Sequence, residues 1–499
     1  MDQYLIAHDL GTSGDKATLF TTDGRLIRSA VVSYEARYFG QSCAEEDPED
    51  WWRAVCSSTR EIMEGIHPAD VIGLSFSAQM QGCLLVDREG NPLRPSIIWA
   101  DQRSVKEKDR LINELGFDTI YEITGHRPNQ SYTIEKIMWL KEHEPETYRK
   151  AYRSLQAKDY ILFKMTGKFV TDYSDASGTN AFDLDGLVWS DDIVRASGIN
   201  PELLPELHAS TDIIGGLTAE AAVATGLCEG MPVVCGGGDG PCSAAGAGCI
   251  NDDELFTSFG TSAWIGGTTK KKFLDPDHVL MCFGHVIPGR YMPCGTMQAA
   301  GSSYSYMRRL FAPDSPYSEL NKLIESARPG SRGLIFLPYM IGERCPRWNE
   351  KTSGAFIGMR MQHGKPEYLR ATIEGIAYNL EIILQAYRKR LNVSDMIMTG
   401  GGAKGDIVCQ IMADVFHCNI RTPDNVESAT SIAAAVIAGV GIGAYRDFSE
   451  ISRFLTIDRH FSPTPGIDAV YDPLRRIFDE CYHALVPAFS ELDSYHNED

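Results

Sequence analysis

The chain has 499 residues, more than one hydrophobic core usually spans, so its length favours at least two domains. Its hydrophobic fraction of 43% and charged fraction of 23% are ordinary for a globular protein, and its formal net charge of -20 argues against nucleic acid as a partner. A small anion such as a nucleotide phosphate is not excluded, because backbone N–H groups and a bound cation can hold it.

The sequence also favours a cytoplasmic protein without a membrane partner. The N-terminal residues contain no basic stretch followed by an apolar segment, so no signal peptide is predicted. The longest apolar stretch, residues 432–444, is shorter than the roughly 20 residues that a membrane span needs. The thirteen cysteines include no Cys-x-x-Cys pair, which suits reduced thiols.

The elements of the first part of the chain are predicted as a meander of three strands, a helix and a further strand. The strands are expected at residues 4–8, 16–21, 26–33 and 71–76. The helix is expected from Pro48 to about residue 65, because a proline suits the first helical position and acidic residues follow it.

The same order of elements recurs after residue 250. The predicted segments are strands at 255–259 and 263–267, extended stretches near 279–287 and 291–294, helices near 303–311 and 367–390, and a strand at 396–399. Two similar α/β halves that face each other create a cleft, and ligands of α/β sheets usually bind where strands end.

This repetition predicts two domains. The N-terminal domain is expected at residues 1–247, with insertions at about 105–230, and the C-terminal domain at residues 248–485. Residues 486–499 are predicted to be a tail outside both domains.

The first loop that could carry chemistry follows the first strand. Asp9 ends that strand, Gly11, Thr12 and Ser13 supply N–H and hydroxyl groups that could face an anion, and Lys16 adds a cation. Such a loop could hold the phosphates of ATP and Mg²⁺, with Asp9 as a metal ligand. The alternative is an ordinary hairpin turn with a hydroxyl-rich tip.

The Gly-Thr-Ser element occurs again as Gly260, Thr261 and Ser262, at the matching place in the second half. This repetition favours the functional interpretation of both loops. The chain contains neither a P-loop motif nor the His-Arg-Asp and Asp-Phe-Gly motifs of protein kinases, so phosphate binding would need a different cradle.

A second loop places one acid among four glycines. Gly236, Gly237, Gly238 and Gly240 surround Asp239, which brings the loop's only functional side chain. Phosphoryl transfer to an alcohol needs a base within hydrogen-bond reach of the hydroxyl, and an aspartate can accept that proton. The alternative is an aspartate that only accepts backbone N–H bonds in a tight turn.

Two further groups of residues suit ligands. The loop at Gly401, Gly402 and Ala403 follows a strand and opens a helix, and its bare backbone would suit an adenine ring or the phosphates. Candidate sugar contacts in the first half combine amides, an aromatic ring and an acid, and these are Gln79, Met80, Gln81, Trp99 and Asp101. The alternatives are core packing for Trp99 and surface loops for the polar residues.

At this point the sequence resembles the FGGY carbohydrate kinases, and among them the xylulokinase-like members. The resemblance spans nearly the whole chain. Its elements, in order, are Asp9-Leu-Gly-Thr-Ser13, Gln79-Met-Gln-Gly82, Trp99-x-Asp-x-Arg103, Gly237-Gly-Asp239, Phe259-Gly-Thr-Ser262, Leu337-Pro-Tyr-Met-Ile-Gly-Glu-Arg344 with Pro346, and Gly400-Gly-Gly-Ala-Lys404 with Gln410 and Asp414.

The resemblance implies two actin-like (ribonuclease H-like) domains, each a mixed sheet flanked by helices, with the active site in the cleft between them. It implies that Asp239 is the catalytic base and that the loop from Asp9 to Ser13 faces the phosphates and Mg²⁺. It assigns nucleotide contacts to the positions Thr261, Gly301, Gly402 and Asp406. The segment from Gln79 to Gln81, with Asp239, would touch the sugar.

The implied activity is transfer of the ATP γ-phosphate to a terminal hydroxyl of a pentulose such as D-xylulose. One departure puts the sugar in doubt, because xylulokinases typically have histidine where this chain has Gln81. Ribulose, L-xylulose, erythritol and gluconate are therefore kept as alternatives. Glycerol is disfavoured, since glycerol kinases have an Arg-Glu pair at the positions of Met80 and Gln81.

Two questions stay open at this point. A nucleotide-gated protein on the same actin-like scaffold that phosphorylates no sugar is the alternative from another functional class, because a fold does not determine a function. A homodimer is also left open by the sequence.

Overall fold

The computed structural model describes residues 3–40, 42–425 and 427–496. The elements of the first half are the strands β1 (Tyr4–Leu10), β2 (Gly14–Thr21), β3 (Leu26–Ser33), β4 (Arg37–Phe39), β5 (Cys43–Glu46), β6 (Val71–Ala78), β7 (Leu84–Val86), β8 (Ser96–Ile97), β9 (Arg153–Leu155), β10 (Val170–Asp172), β11 (Phe182–Asp183), β12 (Val188–Trp189), β13 (Glu206–His208), β14 (Ile213–Gly216), β15 (Pro232–Val234) and β16 (Gly237–Gly238). The helices are α1 (Pro48–Ile62), α2 (Val105–Leu115), α3 (Phe117–Thr124), α4 (Thr133–His143), α5 (Pro145–Lys150), α6 (Ala157–Thr166), α7 (Tyr173–Ser177), α8 (Asp191–Ser197), α9 (Ala219–Thr225) and α10 (Asp239–Gly246).

The second half has fewer additions. Its strands are β17 (Glu254–Phe259), β18 (Ala263–Thr268), β19 (Met281–Gly284), β20 (Tyr291–Met297), β21 (Ile335–Leu337), β22 (Ala355–Ile357), β23 (Asp395–Thr399), β24 (Asn419–Pro423) and β25 (Ile457–Phe461). Its helices are α11 (Gly301–Phe311), α12 (Tyr317–Ser326), α13 (Lys365–Arg388), α14 (Asp406–Phe416), α15 (Ala429–Gly441) and α16 (Asp468–His496).

Each half is built on a mixed sheet. The order of the first sheet is β14-β15-β6-β1-β2-β3, with β16 also paired to β6, and the order of the second is β19-β20-β18-β17-β23-β24-β25. In both sheets the first strand of the half pairs antiparallel with the next strand and parallel with a strand that follows a helix. The repeat of strands and helices predicted from the sequence is therefore confirmed.

Side-chain alternation along the strands buries both faces of the first sheet. Ile6 and Leu19 point to the face that packs on α1, α6 and α9, whereas Ala7 and Phe20 point to the face that packs on α15. Helix α15 comes from the second half, so this packing joins the two halves. Helix α10 crosses α15 closely at Gly246, where a Cβ would lie 1.7 Å from the carbonyl oxygen of Ala429.

The predicted insertion at 105–230 is wrong in its extent. Residues of α6, including Tyr160 and Met165, are buried in the core of the first sheet, and β14 extends that sheet at its edge. Helices α2, α3, α4 and α8 instead pack around a separate apolar cluster. The sequence did not reveal this division because the elements that belong to the core alternate along the chain with those that do not.

The predicted tail at 486–499 is also wrong, because α16 continues to residue 496. Phe489 is only 3% exposed and packs with Leu485 and Val486 on the core of the second half. These apolar residues recur at helical spacing, which buries one stripe of the helix. Residues 497–499 lie outside the described residues. Among those that the structure describes, no helix is both long and apolar enough to cross a membrane.

The last helix yields a stability prediction. Phe489→Ala should destabilise the protein by about 3 kcal/mol, because truncating a buried aromatic ring removes apolar burial and leaves a cavity. Leu492→Ala is the matched control on the same helix, since Leu492 is 45% exposed, and its effect should stay within about 0.5 kcal/mol. Urea unfolding measures both values, and equal effects would show that this part of the helix is not docked.

Candidate active site

Asp9 lies where β1 ends, beside the first turn of α15. Its Oδ2 accepts a hydrogen bond from the Thr430 hydroxyl at 2.6 Å, and in the sheet register it is paired with Lys16 on β2. Burial raises the pKa of Asp9 above its ordinary value, while the Thr430 hydrogen bond and the Lys16 charge act in the opposite direction. Thr430 was missed by sequence reasoning, and no local signal at that position could have revealed it.

The loop after Asp9 connects with two predicted sugar contacts. The Thr12 hydroxyl accepts a hydrogen bond from Trp99 Nε1 at 2.8 Å and donates to Gln79 Oε1 at 3.3 Å. Trp99 is 37% exposed, so the alternative of core packing for this ring is wrong. Ser13 is exposed at the loop tip, and the N–H of Gly11 donates to the Gly14 carbonyl at 2.9 Å and closes the turn.

Asp239 begins helix α10 directly after the glycines of its loop. Its Oδ1 accepts the Gly240 N–H at 2.8 Å, and the residue is open to solvent within the cleft. The surrounding protein still removes much of the bulk water, and this desolvation together with the negative charge of Asp9 raises the pKa of Asp239 to about 7. The two aspartates that the sequence singled out are therefore brought close enough to repel each other.

Met80 joins the sugar segment to the base loop in a way that the sequence did not predict. A Cβ at Gly238 would lie 2.5 Å from Met80 Sδ, and Met80 is only 7% exposed. Its side chain fills the space over Gly238, directly before Asp239. Met80 therefore packs against the loop of Asp239, and its contact with the sugar stays a prediction.

The amides on either side of Met80 differ in their surroundings. Gln79 is buried, and its Nε2 donates to Glu46 Oε2 at 2.7 Å. Gln81 has a positive φ of 66°, its N–H donates to Gln156 Oε1 at 2.5 Å, and its carbonyl accepts from Lys136 Nζ at 2.7 Å. Its side-chain amide makes no hydrogen bond to the described part of the chain, which leaves it available to a ligand.

The structure keeps Asp101 away from the cleft surface. Its carboxylate is fully buried, holds the Arg103 guanidinium at 2.7 to 2.9 Å and accepts the Ala44 N–H at 2.6 Å. These contacts use both oxygens of the carboxylate. In this structure Asp101 anchors the loop that carries Trp99, and its contact with the sugar stays a prediction.

Three loops of the second half pack together. The carbonyls of Gly260 and Thr261 accept the N–H groups of Gly301 and Ser302, each at 3.0 Å, and a Cβ at Gly301 would lie 2.3 Å from the Gly260 oxygen. A Cβ at Gly402 would lie 2.3 Å from the Phe259 ring. Ser262 is exposed beside Thr261, and at Gly401 a Cβ would meet nothing within 4 Å, so this face of the loops is open.

Asp406 begins α14 and pairs with Arg459 of β25 at 2.5 Å. Arg459 also donates to the carbonyl of Ala403 at 2.6 Å, so it braces the loop from Gly401 to Asp406 from behind. Neither the position nor the neighbours of Arg459 marked it in the sequence. Asp406 is brought to the predicted nucleotide loop, but its charge is already paired.

The two loops that are predicted to face the phosphates, one from each half, both contact the segment directly before α15. Lys16 Nζ lies 3.4 Å from both the Glu427 carbonyl and the Ser428 hydroxyl, and Lys404 Nζ lies 2.7 Å from Glu427 Oε1. Residues that were predicted to face ATP from opposite halves are therefore linked through a short stretch of chain.

The residues around Asp9 fit a divalent cation. Carboxylate and hydroxyl oxygens are the hard ligands that Mg²⁺ prefers. Burial is the main cause of the raised pKa of both Asp9 and Asp239, and the charge of Asp9 adds to the shift at Asp239. A bound cation would stabilise the ionised form of both carboxylates. Asp9 is the residue that would hold Mg²⁺, with the Thr430 hydroxyl beside it.

Comparison with protein families decides the class of this site. A model of the N-terminal domain of the FGGY family of carbohydrate kinases matches residues 4–246, and a model of that family's C-terminal domain matches residues 255–442. The protein belongs to the FGGY family of carbohydrate kinases. The predicted loops at Asp9 and Asp239 both lie within the matched range of the FGGY N-terminal domain, and the loops at Thr261 and Gly402 lie within that of the C-terminal domain.

The FGGY relatives that are similar to this chain are named after two substrates, xylulose and gluconate. The xylulose kinase of Staphylococcus xylosus is 32% identical over 481 residues, which cover 96% of this chain and 99% of that protein. The gluconokinase of Bacillus subtilis is 30% identical over 508 residues, which cover 99% and 98%.

Two solved structures carry the same two names. The gluconate kinase of Lactobacillus acidophilus superposes with a TM-score of 0.93 at 29% identity, covering 99% of this chain and all of that chain. The ligand-bound xylulose kinase of the same organism has the same TM-score and identity, covering 98% and 100%. The predicted fold of two actin-like domains is confirmed.

The raised pKa of Asp239 predicts an effect on stability that does not depend on turnover. An unfolded aspartate has a pKa of about 4, whereas folding raises this one to about 7. The folded state therefore binds the proton more tightly, and this group's contribution to stability is lost as the pH rises from about 4 to 7.

We expect Asp239→Asn to raise the melting temperature relative to the wild type at pH 8, and to raise it less at pH 5. Calorimetry without nucleotide measures the melting temperature at each pH. Asp314 is exposed, so Asp314→Asn is the control, and its effect on the melting temperature should not change with pH. If the difference in melting temperature between Asp239→Asn and the wild type did not grow with pH, the raised pKa of Asp239 would be contradicted.

Proposed function

We propose that this carbohydrate kinase transfers the γ-phosphate of ATP to the terminal hydroxyl of a pentulose such as D-xylulose, with Asp239 as the catalytic base. The observation that supports this proposal most strongly is the placement of Asp239 in the same cleft as Asp9, with a pKa raised to about 7. A general base works best when its pKa lies near the working pH.

In the proposed reaction, the Asp239 carboxylate accepts the proton of the sugar hydroxyl as that oxygen attacks the γ-phosphorus. The bond between the γ-phosphorus and the bridging oxygen breaks, and ADP leaves with the bonding electrons. Asp9 would hold Mg²⁺, which neutralises charge on the phosphates when bound. Lys16 and the N–H groups of Thr12 and Ser13 would orient the phosphates, since the Gly11 N–H closes the turn by donating to the Gly14 carbonyl.

The proposed nucleotide surface combines the three packed loops of the second half. Its residues are Gly260, Thr261, Ser262, Gly301, Gly401, Gly402, Ala403 and Asp406, and the open side at Gly401 offers room for a flat ring. The sugar would meet the free amide of Gln81 and the Trp99 ring, with Asp239 at the hydroxyl that reacts. Gln79 supports this surface from below through Thr12 and Glu46.

Gluconate is the second candidate substrate. The gluconate kinase from Lactobacillus acidophilus superposes on this chain as well as the xylulose kinase does. Gln81 also gives a neutral amide where xylulokinases typically have histidine. We propose a cytoplasmic enzyme whose partners are ATP and one small sugar or polyol; the homodimer left open by the sequence stays a prediction.

A substrate panel tests the function directly. Release of ADP should be measured with D-xylulose, ribulose, L-xylulose, erythritol, gluconate and glycerol at saturating Mg-ATP, and compared as kcat/KM. We expect D-xylulose to give the highest value and glycerol none. A higher value for gluconate would favour the second candidate, and sugar binding without any ADP release would favour a non-catalytic actin-like protein.

Asp239→Asn isolates the base. The amide keeps the shape of the side chain but cannot accept the proton, so turnover should fall by roughly 10²- to 10⁴-fold. ADP binding, measured by calorimetric titration, should stay within about twofold, because the base does not carry the nucleotide surface. An unchanged turnover number would overturn the assignment of Asp239.

A further inference from the structure

A buried cluster of four charged side chains lies behind the active site and takes no part in the proposed reaction. Lys158 Nζ lies 3.0 Å from Asp159 Oδ1, 3.2 Å from Asp172 Oδ1 and 3.3 Å from Asp175 Oδ2. All four side chains are at most 1% exposed. Burying three carboxylates with a single ammonium carries a large desolvation penalty, so an ion pair of this kind is weak evidence for stability alone.

One arm of hydrogen bonds leads from this cluster to the base loop. Asp172 Oδ2 accepts the Ser174 hydroxyl at 2.5 Å, and Ser174 Oγ in turn accepts the Gly238 N–H at 2.9 Å. Gly238 directly precedes Asp239. The glycines before Asp239 have no side chains and wide conformational freedom, so this bond restrains the peptide that sets the position of the carboxylate.

A second arm leads from the same cluster to the sugar segment. The Gln156 N–H donates to Asp159 Oδ2 at 3.0 Å, and Gln156 Nε2 donates to the Asp175 carbonyl at 2.8 Å. Its Oε1 accepts the Gln81 N–H at 2.5 Å. The positive φ of Gln81 is unfavourable for a residue with a side chain, so it persists only where neighbours hold it.

We propose that Ser174 and Gln156 are positioning residues, through which one buried charged cluster holds the catalytic base and the sugar-binding turn at a set separation. Ser174 positions Asp239 by way of Gly238, and Gln156 positions Gln81. The alternative is that the cluster only joins α6, β10 and α7 and has no effect on chemistry. This inference rests on the proposed function, since it takes Asp239 as the base.

The chain provides a matched control for the first arm. Ser210 is buried like Ser174, and its hydroxyl donates to the same oxygen, Asp172 Oδ2, at 2.7 Å. The Ser210 hydroxyl does not bond to Gly238. Ser174→Ala and Ser210→Ala therefore each remove one hydrogen bond from the cluster, but only Ser174→Ala releases the base loop.

Steady-state kinetics with D-xylulose, or with the best substrate of the panel, test the proposal. Ser174→Ala should lower kcat by roughly 10- to 100-fold, since small displacements of a catalytic group have effects of this size, while the KM for ATP stays within about twofold of the wild type. Ser210→Ala should keep kcat within about twofold. Equal kcat values for the two variants would overturn the positioning role of Ser174.

Gln156→Leu tests the second arm and covers the case in which Ser174→Ala fails to fold. It removes the acceptor for the Gln81 N–H, so the KM for the sugar should rise about tenfold with the KM for ATP unchanged. An unchanged sugar KM would overturn the role of Gln156. Asp239→Asn distinguishes a failure of the proposed function from a failure of the positioning proposal. If Asp239→Asn left turnover intact, Asp239 would not be the base, whatever the kinetics of the serine variants.

Discussion

The repulsion between the carboxylates of Asp9 and Asp239 is the constraint on which the site depends. Asp9 lies at the end of β1, and Asp239 lies 230 positions later in the sequence at the start of α10. Desolvation and the negative charge of Asp9 together raise the pKa of Asp239 to about 7. Like charges are kept close only when the surrounding structure imposes it, and the arrangement becomes favourable when a cation or a transferable proton joins them. Phosphoryl transfer to an alcohol supplies both, because it needs a metal at the phosphates and a base at the hydroxyl.

The fold imposes this proximity through helices that run between the two sheets. Helix α10 begins at Asp239, and helix α15, from the second half, packs on β1 and brings Thr430 to Asp9. The close crossing of α10 and α15 at Gly246 means that the position of the base is coupled to the packing of both domains. Polar side chains hold the backbone of these loops from behind: Arg459 at Ala403, Gln156 at Gln81 and Ser174 at Gly238. The glycines leave the loop backbone accessible to ligands but make it flexible. The hydrogen bonds from these side chains restrict that flexibility.

Much of the fold could be predicted from the sequence because the strands of each half are marked by apolar runs between glycine turns, and the two halves repeat one pattern. The loops at Asp9 and Asp239 were recognised because an acid among glycines after a strand has few structural explanations. Thr430, Arg459 and Gln156 could not be found in this way, since each acts at a site hundreds or tens of residues away in the chain. The packing of Asp101 and Met80 could not be predicted for a related reason: a polar or flexible side chain near a ligand loop can also support the loop itself, and the sequence does not reveal its burial.

The most direct test of the central claim is the pH dependence of kcat/KM for the sugar between pH 5.5 and 8.5, which reports ionisation of the free enzyme. A base with a pKa raised to about 7 predicts that kcat/KM falls about tenfold per pH unit on the acid side of neutrality, and that the residual activity of Asp239→Asn lacks this fall. A profile that stays level from pH 5.5 to 8, or an acid limb that persists in Asp239→Asn, would contradict the account.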